Sequence, residues 1–192
     1  MPAYILTITL NPAIDRIIRH DRGLPSVEEF PGGKGVNVAR VFQALGVPAR
    51  AIGLAGGAAG RTLDDLLDRE NIPHRFFFIK GETRTNVTVV GNNGAVRRKV
   101  LPGPGVTKEE RDVFTSFLIR PMRGASAVIF SGSLPPKFPV KAFAALVRRA
   151  QASGALTVVD TRGPALRAAL DLGVDVIKPN REEAEEVLGF KL

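Results

Sequence analysis

The 192-residue chain contains no cysteine and only two histidines. Disulfide bonds, thiolate nucleophiles and cysteine metal sites are therefore excluded, and the absence of cysteine fits the reducing environment of the cytoplasm. His20 and His74 stand alone near predicted turns, with no spacing typical of metal ligands. We expect both histidines to lie on the surface.

The sequence also lacks long apolar runs. None approaches the roughly 18 residues that cross a bilayer, so we expect no membrane-spanning segment and no membrane partner. The first residues carry no basic region, and the Asn11-Pro12 pair interrupts the first apolar run. We therefore expect no signal peptide and a cytoplasmic location.

Aromatic residues make up only 6% of the chain and are not interleaved with basic residues. A surface that stacks single-stranded bases needs that interleaving, so the sequence does not favour nucleic-acid binding. The formal net charge is nevertheless +8. This excess is compatible with an anionic partner such as a phosphorylated metabolite, and equally with solvated basic residues on helix surfaces.

Strand-like and amphipathic segments alternate along most of the chain. This pattern predicts strands at residues 4–10, 50–56, 74–80, 127–131, 155–160 and 174–180. It predicts helices at residues 36–46, 61–70, 108–118, 139–153, 164–171 and 181–190. Such alternation is typical of a mostly parallel sheet with helices on both faces, so we predict an α/β fold.

Residues 86–105 depart from this alternation. Two β-rich runs flank Asn92-Asn93-Gly94, which is a hairpin signal. Together with residues 17–20, this ribbon does not fit the layered sheet. We expect an edge ribbon or a separate small lid.

Short polar side chains follow several of the predicted strands. Ligands of open α/β sheets bind at the carboxyl ends of the strands, so we expect these residues to gather at one edge. Any single one of them is also compatible with a helix cap. The set comprises Asn11, Asp15, Ser131, Ser133, Asp160, Thr161, Lys178, Asn180 and Glu183.

The stretch PGGKGVN, residues 31–37, leads directly into a predicted helix. Gly32, Gly33 and Gly35 let backbone N–H groups approach a ligand without interference from a Cβ atom, and a helix start favours anions and polar oxygens. The stretch matches neither a P-loop nor a dinucleotide-binding pattern. It indicates either a tight turn or a site for an oxygen-rich ligand.

Four further residues each allow two interpretations. Asp15 is suited to accept hydrogen bonds from sugar hydroxyls, or it is an exposed turn residue. Arg84 offers a planar fork that suits phosphate, or it is a solvated strand charge. Asn180 and Glu183 form a pair that suits water-mediated binding of Mg²⁺, or they cap a helix.

Several of these motifs, in this order, resemble the PfkB (ribokinase-like) family of sugar kinases. The resemblance extends from residue 4 to residue 192 and is strongest to the 1-phosphofructokinase and tagatose-6-phosphate kinase branch, with 6-phosphofructokinases close behind. It implies a ribokinase-like three-layer sandwich with a small β-lid, truncated at its C-terminal end. The matching stretches are TLNPAID (9–15), GGKGVNVAR (32–40), LGV (45–47), AGG (55–57), TRTN (83–86), SGSLPP (131–136), VDTRGPAL (159–166) and KPNREE (178–183).

The resemblance also implies roles for individual residues. The sugar would be bound by Asp15, Gly32, Gly33, Lys34, Asn37 and Asn86. The phosphate already on the sugar would be bound by Arg84 and Ser133. ATP would lie near Lys178, Asn180 and Glu183, with Asn180 and Glu183 close to Mg²⁺. The substrate would be a ketohexose phosphate, most simply fructose 1-phosphate.

The first departure from the family pattern concerns the catalytic base. The Gly-Ala-Gly-Asp motif, whose aspartate is the base in the family, is absent from the chain. The resemblance places that motif beyond Leu192, the last residue. We therefore expect no catalytic residue among residues 1–192 and no useful kinase activity from them alone.

The second departure is the short segment between Asp15 and Gly32. We expect it to lack the extra lid strand of relatives. The sequence therefore leaves two questions undecided: whether the lid closes, and whether a homodimer forms through it. In relatives the extra strand often carries basic residues, and here Arg16, Arg19 or Arg22 would substitute for them.

The expected organisation is one incomplete domain, residues 1–192, with lid segments at about 16–30 and 84–102. Two functions from different classes fit it. The chain is the sugar-binding portion of a phosphofructokinase-type enzyme, or it is a non-catalytic protein that binds a phosphosugar. An α/β nucleotide-binding module unrelated to sugars is a third, weaker alternative.

Overall fold

The computed structural model describes residues 4–20 and 24–192, which form two sheets and six helices. The strands are β1 (Tyr4–Thr9), β2 (Ala13–Arg19), β3 (Ser26–Gly32), β4 (Ala49–Gly56), β5 (His74–Ile79), β6 (Arg84–Val90), β7 (Val96–Lys99), β8 (Ala125–Ser131), β9 (Leu156–Asp160) and β10 (Val176–Ile177). The helices are α1 (Lys34–Ala44), α2 (Gly57–Arg69), α3 (Lys108–Arg123), α4 (Val140–Ala152), α5 (Gly163–Asp171) and α6 (Arg181–Leu188).

The main sheet contains six parallel strands in the order β10-β9-β8-β1-β4-β5. Alternate residues of each strand face opposite sides, so each face needs its own cover. One core cluster joins the sheet to α3, α4 and α5, and a second joins it to α1 and α2. The predicted α/β fold with helices on both faces is confirmed.

The smaller sheet contains four strands in the order β3-β2-β6-β7. The predicted hairpin around Asn92 is confirmed as β6 and β7. The expectation that the segment after Asp15 lacks a strand is wrong, because β2 and β3 pair antiparallel along their whole length. Strand β2 also pairs in parallel with β6, so two segments about 70 residues apart in the chain form one sheet. Arg22 lies outside the described residues.

Strand β10 and helix α3 differ most in length from their predictions. Strand β10 covers only Val176–Ile177, because Pro179 has no N–H and the amide of Lys178 makes the last bond, 3.1 Å to the Val159 carbonyl. Helix α3 continues through Pro121 to Arg123, and the Tyr4 hydroxyl donates to the Pro121 carbonyl at 2.7 Å.

Contrary to expectation, His74 is not on the surface, because its side chain is only 9% exposed. Its Nδ1 lies 2.8 Å from the Ile72 carbonyl, and its Nε2 lies 3.2 Å from Asp64 Oδ1. Burial raises the pKa of Asp64, and the neighbouring imidazole offsets part of that rise. His20 is exposed, as expected.

Among the described residues, no helix combines the length and the apolar character that crossing a membrane requires.

Helix α3 begins with a reciprocal capping arrangement that also ties it to the chain after β5. The Glu110 carboxylate accepts hydrogen bonds from the amides of Thr107 and Lys80, each at 2.8 Å, and the Glu110 amide donates to the Thr107 hydroxyl. Burial alone raises the pKa of Glu110, but these hydrogen bonds lower it more, so its pKa lies below the ordinary value.

We therefore expect Glu110→Gln to lower the free energy of unfolding by about 1 kcal/mol near neutral pH. A carboxylate with a depressed folded-state pKa stabilises the fold above its ordinary pKa of 4.5, and this contribution disappears as the pH falls through the folded-state value. Urea denaturation of both proteins over this range measures the difference. Glu186→Gln, at an exposed site in α6, is the control. If the free energies of unfolding of the wild type and of Glu110→Gln differ by the same amount from neutral to acid pH, the lowered pKa assigned to Glu110 is wrong.

Candidate functional site

The small sheet meets the main sheet at the carboxyl end of β1. Strand β1 ends at Thr9 and β2 begins at Ala13, so only residues 10–12 separate the two sheets. The turns that follow β8 and β9 lie at the same edge, because all strands of the main sheet are parallel. The polar residues expected at the strand ends therefore lie at the edge of the main sheet from which the small sheet leaves.

Asp15 and Asn86 face each other across β2 and β6. The Asn86 amide donates to Asp15 Oδ1 at 2.8 Å, and its carbonyl oxygen accepts from the Leu101 amide at 3.3 Å. Gly32 leaves room for this pair, since a Cβ atom there would lie 2.7 Å from the carboxyl carbon of Asp15. Asp15 is consequently a fixed acceptor and not an exposed turn residue.

Two glycines bring the start of α1 close to the turn after β8. Gly33 precedes α1 with φ 113°, and no side chain caps the helix there. Gly132, with φ 111°, lies against Lys34, so that an added Cβ would be 3.7 Å from the Lys34 Cβ. Because helix starts leave backbone N–H groups without intrahelical partners, this uncapped turn is suited to bind oxygen atoms.

Asn11 connects three segments at the junction and is only 5% exposed. Its side-chain amide donates to the Pro102 carbonyl at 2.9 Å and to the Ser133 hydroxyl at 3.2 Å. The Asn11 side chain therefore connects the end of β1 to the segment after β7 and to the turn after β8. The sequence includes Asn11 among the polar residues at strand ends but assigns it no role, although an Asn-Pro pair directly after a buried strand is a usable signal.

The Arg84 guanidinium binds the main chain on both sides of the same junction. It donates to the carbonyls of Asn11 at 2.9 Å, Leu101 at 2.7 Å and Pro12 at 3.3 Å. It is therefore not a solvated strand charge. Two of its five N–H donors remain for a ligand.

Burial lowers the pKa of Arg84, and the carboxylate of Asp15 offsets part of this effect. The positive charges of Arg162 and Arg98 lower the pKa further. Three guanidinium groups, from β6, β7 and the start of α5, consequently act on one region of the site.

Asp160 at the end of β9 accepts from several partners and is 7% exposed. The Ser131 hydroxyl donates to its Oδ2 at 2.8 Å, while the ammonium groups of Lys34 and Lys178 lie 3.2 and 3.7 Å from its Oδ1. Lys34 also lies 4.0 Å from Glu183 Oε1. Sequence reasoning placed Asp160 at this edge without a role. The polar Ser and Asp that end consecutive buried strands were the available signal.

Asn180 and Glu183 form the capping box of α6. Asn180 Oδ1 accepts from the Glu183 amide at 2.8 Å, and Glu183 Oε2 accepts from the Asn180 amide at 3.0 Å. The capping interpretation is therefore correct, and Oε1 of Glu183 stays outside the cap. The described residues contain no group of three or more histidine, aspartate or glutamate side chains placed to hold a metal. Mg²⁺ keeps much of its hydration shell and needs only one or two carboxylates, so the pair still fits a water-mediated site.

Leu192, the residue beyond which we expect the catalytic base, is not itself part of the site. Its side chain is 56% exposed. Its amide donates to Glu185 Oε1 at 3.0 Å and its carbonyl accepts from Arg181, so the hydrogen bonds that it makes in the described structure lead back to α6. The position of the base beyond Leu192 stays a prediction.

Asn37 is not joined to the residues at the sheet edge. It is exposed on α1, and its side chain accepts from Arg40 at 3.4 Å. Arg40 in turn pairs with Glu70, with Nη2 and Oε1 2.9 Å apart. The structure thus gathers the other expected binding residues at the sheet edge and leaves Asn37 in a separate polar group.

A parallel α/β sheet with a small β-sheet at its carboxyl edge, and with basic side chains gathered there, is an arrangement suited to bind small anionic ligands. Comparison with known families is more specific. The pattern of pfkB family carbohydrate kinases matches residues 9–192, and the chain belongs to that family.

Similar proteins are sugar-phosphate kinases. The tagatose-6-phosphate kinase of Staphylococcus epidermidis is 33% identical over 197 residues, which cover 98% of this chain and 63% of that kinase. Phosphofructokinase-2 from Escherichia coli, solved with fructose-6-phosphate, has a TM-score of 0.91 and 34% identity, covering 100% of this chain and 66% of that one. A Thermotoga maritima structure described as a possible 1-phosphofructokinase has a TM-score of 0.84 and 30% identity, covering 93% and 61%. This chain thus spans less than two thirds of the length of these relatives.

We expect Asn11→Ala to lower the free energy of unfolding by about 1–3 kcal/mol, because it removes a buried side chain and leaves the partly buried Pro102 carbonyl and Ser133 hydroxyl without their donor. Chemical denaturation monitored by circular dichroism measures the loss. Asn92→Ala, at an exposed position of the β6–β7 turn, is the matched control and should change stability far less. If Asn11→Ala and Asn92→Ala lower the free energy of unfolding equally, the Asn11 side chain does not connect the three segments.

Proposed function

We propose that this chain is the sugar-binding portion of an ATP-dependent phosphosugar kinase whose substrate is a ketohexose phosphate, most simply fructose 1-phosphate. The arrangement of Asp15, Asn86 and Gly32 carries the proposal. It fixes a carboxylate acceptor beside an uncapped helix start, next to a guanidinium that retains two free donors. Tagatose 6-phosphate and fructose 6-phosphate are the alternative substrates, and both appear in the names of the relatives.

Each part of the site has a proposed role in substrate binding. Asp15 accepts from sugar hydroxyls, and the turn at Gly32 and Gly33 presents backbone N–H groups to them. Arg84 and Ser133 bind the phosphate that the sugar already carries. The small sheet serves as a lid that excludes water when the site is filled.

ATP would bind on the side of Lys178, Asn180 and Glu183, where two lysines and a free carboxylate oxygen lie close together. Mg²⁺ held through waters by Asn180 and Glu183 would offset phosphate charge during transfer. Lys178 would contact phosphate oxygens as a point charge.

In the proposed reaction, a free hydroxyl of the sugar forms a bond to the γ-phosphorus of ATP while the bond to the bridging oxygen of ADP breaks. The hydroxyl proton must pass to a base. The Gly-Ala-Gly-Asp motif that supplies this base in the family is not in residues 1–192, so binding without transfer stays our prediction for this chain alone. A non-catalytic phosphosugar-binding protein is the alternative function that this departure favours.

The proposal is tested by titrating the 192-residue chain with fructose 1-phosphate, tagatose 6-phosphate, fructose 6-phosphate and fructose in a calorimeter. We expect the phosphorylated sugars to bind and fructose to bind much more weakly. Gly32→Ala should weaken phosphosugar binding at least tenfold, because the added Cβ displaces the Asp15 carboxylate. The hydrogen bonds that this carboxylate accepts from the sugar hydroxyls would then be lost, and loss of hydrogen bonds to a charged group lowers affinity by at least that factor. Gly105→Ala, where an added Cβ meets nothing within 4 Å, should bind normally. No binding of any phosphosugar would overturn the proposed function.

We further propose a homodimer through the small sheet. Val27 is 58% exposed and pairs with Ile18, which pairs with Val89, so an apolar row crosses the face opposite Asp15. Light scattering should give the mass of a dimer for the wild-type chain and of a monomer for Val27→Lys, because the new charge would be buried without a partner. Val113→Lys, at a similarly exposed site on α3, is the control. A monomeric wild type contradicts the dimer proposal.

A further inference from the structure

Arg162 is a basic residue of the site edge to which the sequence motifs assign no role. It lies between β9 and α5, with extended backbone at φ −138° and ψ 168°. Its side chain is exposed, and no ion pair or hydrogen bond to its guanidinium occurs among the described residues. All five of its N–H donors are consequently available.

The backbone of Arg162 is held firmly against the site. The hydroxyl of the preceding Thr161 donates to the Gly132 carbonyl at 2.9 Å, and the Gly132 amide donates to the Asp160 carbonyl at 2.8 Å. These bonds fasten the start of α5 to the turn that carries Ser133. Arg162 therefore extends from a segment that two hydrogen bonds tie to the edge of the site.

Two hydrogen bonds through Asn11 connect the Ser133 turn to Arg84. Ser133 Oγ accepts from the Asn11 side chain at 3.2 Å, and the Asn11 carbonyl accepts from Arg84 at 2.9 Å. The positive charge of Arg162 is close enough to depress the pKa of Arg84. Arg162 and Arg84 are therefore both connected to the Ser133 turn, Arg162 through the Thr161–Gly132 bond and Arg84 through Asn11.

A third guanidinium, that of Arg98, lies on the same face of the small sheet as Arg84. Arg98 on β7 is paired with Thr88 on β6, and Thr88 shares a sheet face with Asn86 and Arg84 because side chains alternate along a strand. Nearby Asp160 already has Lys34 and Lys178 as counter-charges. Like charges gathered in this way are stabilised by an anion bound between them.

We propose that Arg162 binds the phosphate of the phosphosugar together with Arg84. Arg84 donates to three main-chain carbonyls, so its two remaining donors leave most oxygens of a phosphate dianion unpaired. Arg162 supplies a planar fork for those oxygens from the other side of the turn. This inference rests on the proposed function and extends it by naming a second residue for phosphate specificity.

The test is calorimetric titration of the 192-residue chain and its variants with fructose 1-phosphate and with fructose. We expect Arg162→Ala to weaken fructose 1-phosphate binding about tenfold or more, as loss of a charge-assisted hydrogen-bond pair predicts, and to leave fructose binding unchanged. Arg162→Lys should recover only part of the affinity, because an ammonium group lacks the fork. The phosphosugar affinity of Arg162→Ala should also depend less on salt concentration.

Arg148→Ala is the matched control, since it removes one exposed positive charge from α4. Helix α4 runs antiparallel to the strands it connects, so Arg148, near its C-terminal end, lies at the opposite edge of the sheet. This variant should bind fructose 1-phosphate like the wild type. The melting temperature of Arg162→Ala should match that of the wild type, because the replaced side chain is exposed.

Several results would overturn the inference. If Arg162→Ala binds fructose 1-phosphate with unchanged affinity, Arg162 does not contact the phosphate, and the proposed function is unaffected. Equal losses for fructose and its phosphate would indicate a structural role. Weaker binding of MgADP with normal phosphosugar binding would place Arg162 on the nucleotide side. If the wild type binds no phosphosugar, the proposed function fails and this inference fails with it.

Discussion

The hydrogen bonds between Arg84 and the main chain at Asn11 and Pro12 hold the two sheets together at the site. A half-buried guanidinium is costly to desolvate, and three carbonyl acceptors offset that cost. Because β2 begins directly after Pro12, these bonds fix where the small sheet leaves the main sheet. Asp15 lies near the start of β2, so the position of the proposed sugar-binding carboxylate follows from the same contacts.

The charges of the site separate into two groups with different counter-ions. Lys34 and Lys178 converge on the carboxylate of Asp160, which the Ser131 hydroxyl also binds. The guanidinium groups of Arg84, Arg98 and Arg162 form no ion pair among the described residues, and the Asp15 carboxylate, which accepts a hydrogen bond from the Asn86 amide, offsets only part of the positive charge around Arg84. Ammonium groups near the proposed nucleotide side are thus partly neutralised, while the arginines keep their attraction for an incoming phosphate.

The main sheet could be predicted from the sequence because its strands and helices each carry a strong local pattern, while the small sheet could not be predicted fully. Strand β3 is an edge strand whose first three residues are exposed, so it shows no apolar alternation. The parallel pairing of β2 with β6 joins distant segments, which no local signal indicates. Some expected site residues, such as Asp15 and Ser133, could be predicted because polar residues after buried strands gather at one edge, whereas others, such as Asn86, were implied only by the family resemblance. The roles of Asn11 and Asp160 depend on contacts between such turns, and only the folded structure brings those turns together.

Asn180 and Glu183 illustrate why a helix cap and a ligand site need not exclude each other. The cap uses Oδ1 of Asn180 and Oε2 of Glu183, and it fixes the rotation of both side chains. A carboxylate has two oxygens with several acceptor positions, so capping leaves Oε1 of Glu183 available. That oxygen lies 4.0 Å from Lys34, which lies 3.2 Å from Asp160. Lys34 therefore links the glycine turn to the start of α6. The sequence pattern presents a helix cap as the simpler explanation of Asn180 and Glu183, and this same cap orients Oε1 of Glu183 toward Lys34.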